Sequence, residues 1–135
     1  MANTYNIFIS HSWGYGNAYD TLVGFLNNHR YFLWKDYSVP KDDPIRRVKT
    51  KILLRSALRR HIALASCIII PARVYCSYSG WIEEEIEMAQ EMNKPIIGVR
   101  PWGAERISNL VQENADVIVG WNSESVVNAV RNYSI

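Results

Sequence analysis

A chain of 135 residues has the size of one ordinary domain and can bury a single core. Its 48% hydrophobic and 21% charged residues exclude the disordered and collagenous classes, and a net charge of +2 is too small to point to nucleic acid or a membrane surface. No apolar run approaches the ~20 residues that span a bilayer. The opening "MANTYNIFIS" has neither a basic region nor a small-residue cleavage site, so no signal peptide is expected. Cys67 and Cys76 form no CxxC pair, and Cys67 in "ASCIIIPA" reads as a buried free thiol. Together these predict a soluble, cytoplasmic protein of a reducing compartment, with residues 1–135 forming one domain.

In chain order, "YNIFIS" (5–10) is a short β-branched and aromatic run followed by turn-prone "HSWGYGN", the pattern of a buried strand entering a loop. "AYDTLVGFLNNH" (18–29) spaces Leu22, Val23, Phe25 and Leu26 like the buried stripe of a helix, with Asn17 as its cap. "YFLW" (31–34) is the second strand, and polar "KDYSVPKDDP" (35–44) a long loop. "IRRVKTKILLRSALRRHI" (45–62) forms a helix behind Pro44. "SCIII" (66–70) carries the strongest central-strand signal and ends at Pro71. A helix over 80–92, a strand in "KPIIGVRP" (94–101), a strand in "ADVIVGW" (115–121) and a helix over 123–133 complete the chain.

Apolar strands alternating with helices imply a parallel sheet covered on both faces. Five of them in this length favour a three-layer α/β, flavodoxin-like doubly wound sheet of order 2-1-3-4-5. Ligands of such sheets bind beyond the carboxyl ends of the strands, at the switch point between strands 1 and 3. The segments expected to meet there are "SHSWGYG" and "ARVYCSYSGW".

The helix over 80–92 carries Glu83, Glu84, Glu85, Glu87 and Glu91. At about 100° per residue, with Ile82 at zero, Ile86 and Ala89 fall near 40° and 340°, and Met92, Trp81 and Met88 near 280°, 260° and 240°. Glu83, Glu84, Glu87 and Glu91 cluster between about 100° and 200°, on the opposite and solvated side. Glu85 falls at about 300°, inside the apolar arc. A carboxylate there must be paired, protonated or open to a cleft, and desolvation is how enzymes prepare such a group for chemistry. Two roles stay open at this point: a functional acid, or a structural one paired with an arginine such as Arg73 or Arg100.

"YNIFISHSW", "WKDYSVPKDDPI" and "CIIIPARVYCSYSGWIEEEIEMA" resemble, in that order, the first strand and loop, the BB loop and the glutamate-bearing segment of TIR domains. The likeness covers Tyr5 to about Tyr133 and is strongest to the compact bacterial TIR-like sensor enzymes of Thoeris antiphage defence. The family's Ser–Tyr–x–Ser–x–Trp run precedes a glutamate four residues after the tryptophan, which from Trp81 is Glu85. Ile82 stands where many TIR domains have cysteine. The BB loop has Pro40-Lys41 in place of the proline–glycine pair of adaptors, which puts adaptor-style contacts in doubt more than catalysis.

The resemblance implies cleavage of the nicotinamide–ribose bond of NAD as substrate, with Glu85 catalytic and the ADP-ribose product cyclised or conjugated into a second messenger. It further implies a homo-oligomer when active, an effector reached by a diffusible nucleotide, and a phage-derived trigger. Ser10, His11 and Ser12 offer donors to the dinucleotide, and Trp13 or Tyr15 a stacking surface; as isolated residues such serines and histidines are more often turn stabilisers, and such aromatics more often packing. Ser77 and Tyr78 stand at the helix start, where free amides suit a phosphate, unless Ser79 simply caps it. Asp36 either orders the BB loop or ends the second strand. No GxGxxG or GxxxxGK[ST] occurs, and His11, His29, His61 and the cysteines lack metal-ligand spacing. The arginines and lysines from Arg46 to Arg60 are spread around their helix, which fits a solvated or protein-docking face and not nucleic acid. A non-catalytic TIR-like module acting by homotypic assembly is the alternative, and a nucleoside-processing transferase a third reading.

Overall fold

The computed structural model describes residues 4–10, 18–38, 51–72, 79–101 and 108–135. Its elements are β1 (Thr4–Ile9), α1 (Ala18–Asn27), β2 (Leu33–Asp36), α2 (Lys51–Leu64), β3 (Cys67–Pro71), α3 (Ser79–Glu91), β4 (Ile96–Val99), α4 (Asn109–Asn114), β5 (Val117–Val119) and α5 (Ser123–Tyr133). The five strands form one parallel sheet of order β2-β1-β3-β4-β5. This is the flavodoxin-like doubly wound arrangement expected from the alternation of apolar strands with helices.

Side chains of a strand point alternately to its two faces, and the strands sort accordingly. Phe8, Ile68, Ile70 and Ile96 join Leu58 and Ile62 of α2, Ile82, Ile86, Met88 and Ala89 of α3 and Val111 of α4 in one core. Ile7, Ile9, Cys67, Ile69, Ile97 and Val99 join Leu22 and Leu26 of α1 and Val126, Val127 and Val130 of α5 in the other. Both faces are therefore covered, and every residue of β3 and β4 is buried.

The second and third strands depart from the sequence reading. The second strand begins at Leu33 and runs through Asp36, so Lys35 and Asp36 belong to the sheet and not to a loop. Tyr31 takes a positive φ of 58°, a left-handed conformation that cannot belong to a strand, and extended backbone starts only after it. Pro71 lies inside β3 as its last residue, paired with Val99 of β4, and the ladder passes it through the Ala72 N–H, which donates to Val99 O at 2.8 Å. The short helix α4 was not anticipated; Ser108 caps it by accepting from the Val111 N–H, and Val111 is buried. The start of the helix behind Pro44 and the cap at Asn17 lie outside the described residues.

Helix α3 has a defined end. Asn93 takes a φ of 57°; its N–H donates to Gln90 O at 3.1 Å and the Lys94 N–H to Ala89 O at 2.8 Å. This pair of bonds is the Schellman stop, with asparagine in the place glycine usually takes. It brings the chain directly into β4 and fixes the length of the helix that carries the glutamates.

Candidate active site

The switch point lies between β1 and β3, because the chain leaves β1 for β2 on one side and returns to β3 on the other. Ser10 follows β1 immediately, and its N–H donates to Ile69 O at 2.9 Å, extending the pairing with β3 by one residue. Its hydroxyl thereby points across the carboxyl end of the sheet and donates to Glu85 Oε1 at 2.7 Å. Glu85 is 0% exposed and Ser10 1%. That length is the usual one for a well-formed O–H···O hydrogen bond. The wheel placed Glu85 inside the apolar arc, and it is buried there beside Ile82, Ile86, Met88 and Ala89.

A second set of bonds fixes the end of β1 from its other side. The Ile9 N–H donates to Ser38 Oγ at 2.8 Å, and the Ser38 N–H donates to Asp36 Oδ1 at 2.8 Å. The Tyr19 hydroxyl of α1 donates to Asp36 Oδ2. Burial first, then the Asp36 carboxylate with which it is bonded, push the Tyr19 phenol well above its usual range. Asp36 thus ends β2 and accepts from the Ser38 N–H in the turn after it. Sequence reasoning passed over Ser38, although an aspartate whose side chain takes the N–H two residues on is a recognisable turn signal.

The remaining glutamates are not all solvated. Glu83 is exposed, but Glu84 is buried at 7%. Arg55 of α2 sends Nη1 to Glu84 Oε2 at 2.8 Å and to Glu87 Oε2 at 3.0 Å, and Nη2 to Glu91 Oε1 at 2.5 Å. The expectation that Glu84 lies on a wet face is corrected here: at about 200° on the wheel it borders Met88, and α2 packs over that edge. No signal in the local sequence could have shown which arginine of α2 faces α3.

Of the residues expected at the site, the structure brings Ser10 and Glu85 into contact and sets Asp36 at the end of the neighbouring strand β2. His11, Ser12, Trp13, Ser77 and Tyr78 lie outside the described residues, as do Tyr15 and Arg73. Arg100 is exposed. Among the described residues no group of three or more His, Cys, Asp or Glu could hold a metal ion, and no helix is long and apolar enough to cross a membrane. A polar cleft of about 500 Å³ lined by Gln90, Asn93, Lys94, Pro95, Asn114, Asp116 and Tyr133 lies before β4 and β5, at the opposite end of the sheet from Glu85.

The fold and the carboxylate at its switch point place the molecule among flavodoxin-like α/β proteins. The sequence profile of the family described as Thoeris protein ThsB, TIR-like domain, matches residues 8–106. The chain belongs to that family. Among solved structures it is similar to the CMP N-glycosidase BcmB of Clostridium botulinum, at 16% identity and a TM-score of 0.54, over 93% of this chain and 98% of that one. At that identity the likeness is one of fold. A comparison with curated proteins gives no match.

Proposed function

We propose that the protein is a TIR-like enzyme that cleaves the nicotinamide–ribose bond of NAD, with Glu85 as its catalytic carboxylate. The observation that carries this reading is the burial of Glu85 at the switch point, held by Ser10 Oγ at 2.7 Å. In NAD the C1′–N bond breaks with its electron pair leaving on nitrogen, so the nicotinamide departs neutral without a general acid. Positive charge then collects on C1′ and the ring oxygen, as in glycoside hydrolysis. A fixed carboxylate in a dry site stabilises that charge or holds the ribose hydroxyls, effects worth a few kcal/mol. Water or a second nucleophile closes the step at C1′ and loses its proton to solvent.

Glu85 has no exposed surface, so a substrate reaches it only when the atoms covering it move. That fits an enzyme latent as a single chain and active in a homo-oligomer. Membership of the Thoeris family supports placing the reaction in bacterial antiphage defence, with a phage-derived trigger. In this reading the product is a cyclic or conjugated ADP-ribose messenger that reaches a separate effector by diffusion. A second reading, favoured by the likeness to the CMP N-glycosidase, is cleavage of a nucleotide at its base–ribose bond. Incubation with NAD, CMP and free nucleosides in parallel, with released bases and sugar products resolved by mass spectrometry, separates the two. Nicotinamide from NAD alone supports the first; cytosine from CMP without nicotinamide overturns it.

A further inference from the structure

Arg55 grips α3 by Glu84, Glu87 and Glu91, residues one and two turns apart along a single stripe. On the wheel that stripe spans about 140° to 200°, roughly 120° round from Glu85. An apolar arc alone locates a helix without strongly fixing its rotation, because burial is non-directional and Met88 is an adaptable filler. A guanidinium forked onto three carboxylates is directional. We propose that Arg55 is a positioning residue, which sets the rotation of α3 and so aims Glu85 at Ser10 and at the substrate.

Glu84 is the group that would drive the helix round. With Arg55 present, a carboxylate that is 7% exposed has a cation at 2.8 Å. Without that cation, three carboxylates on neighbouring turns repel one another, and the buried one carries a desolvation penalty no longer offset by this partner. The easiest relief is a turn of α3 that brings Glu84 to water. Glu85, next in sequence, is carried round with it. A rotation of about 15° sweeps a side chain some 5–6 Å from the axis through about 1.5 Å. Misplacement of about 1 Å at a reacting centre can cost on the order of a hundredfold in rate. The pairs to half-exposed Glu87 and Glu91 contribute little to global stability, and the buried Glu84 is the member whose loss of its partner is felt.

The proposal rests on the NAD reading for its kinetic test. Arg55→Met is expected to lower kcat for nicotinamide release at least ~10-fold with KM within about twofold. Arg55→Met/Glu84→Gln, which removes the buried charge together with its cation, is expected to recover to within about threefold of wild type. A single variant as active as wild type, or a double variant no better than the single one, overturns the proposal. Where Arg55→Met does not fold, Arg55→Lys replaces it, since an ammonium cannot fork onto three carboxylates, and the same drop is expected in smaller degree; Arg55→Lys at the wild-type rate overturns the proposal. These rates are read on assembled protein; if assembled wild type releases no nicotinamide, the NAD reading fails and this one is judged by structure. A crystal structure of the Arg55 variant that keeps the bond from Ser10 Oγ to Glu85 Oε1 at its 2.7 Å overturns it; a turned α3 with that bond broken supports it.

Discussion

Ser10→Ala removes one oxygen from a site with no access to solvent. The Glu85 carboxylate then loses the donor that lies 2.7 Å from Oε1, while neither residue exposes enough surface for water to replace it. Hydrogen bonds to charged groups contribute about 1.5–3 kcal/mol, and a buried acceptor left short of a donor carries its desolvation cost. The expected loss of stability is therefore about 1.5–3 kcal/mol, or a melting temperature lowered by roughly 5–10 °C for a chain of this size. Urea denaturation of wild type and variant reads the difference directly, with an unchanged slope as the check on two-state behaviour. The control is the same substitution in a Glu85→Leu background, where no carboxylate remains to be satisfied. There Ser10→Ala should cost at least ~1 kcal/mol less than in the wild-type background, because the share of the loss that belongs to the bond between Ser10 and Glu85 is already gone. An equal cost in both backgrounds would mean that the bond from Ser10 to Glu85 carries none of the stability, and the description of the site would be wrong.

Gly98 in β4 faces α4: a Cβ there would stand 3.0 Å from Val111 Cγ1 and 3.3 Å from Ile118 Cγ1. Gly98→Ala should destabilise by about 1–3 kcal/mol through overpacking, and Val111→Ala in the same chain should return part of that loss by thermal denaturation. Burial pushes the Cys67 thiol up to about 12. The folded state therefore holds its thiol proton more tightly than the unfolded state, whose thiol titrates near the ordinary ~8.5. Its contribution to stability is complete below that pH and is lost as pH rises toward about 12. In a Cys76→Ser background, iodoacetamide at about pH 8 should modify Cys67 in urea, where the thiol is exposed and partly ionised, and leave it untouched in buffer. Rapid labelling of the native protein would contradict its burial.

What the sequence made legible was whatever depends on near-neighbour pattern. Apolar runs such as "CIII" and "PIIGV" announce strands buried on both faces, and their alternation with helices gives a parallel sheet. The 3.6-residue period sorts Glu85 from Glu83 because the two differ by about 200° around the helix. The rest required contacts between distant segments. Arg55 and Glu84 stand on different helices, and only the packing of α2 on α3 makes them partners. Glu84 lay at the edge of the apolar arc, where its burial was decided by a neighbouring helix and not by its own period. The second strand starts later than its apolar run because Tyr31 adopts a conformation that its residue type rarely takes. Helix α4 is too short to show a period, leaving Ser108 and Val111 as its only marks.

Catalysis in this reading depends on the charge of one side chain. Glu85→Gln keeps the shape of the acid and an oxygen for the Ser10 hydroxyl, and removes the negative charge. With assembled protein and NAD, nicotinamide release followed by chromatography should fall by at least ~100-fold, in line with the loss of an electrostatic stabiliser worth a few kcal/mol. Release by the Glu85→Gln variant at the wild-type rate would contradict the central claim and leave a TIR-like domain whose buried acid serves the fold.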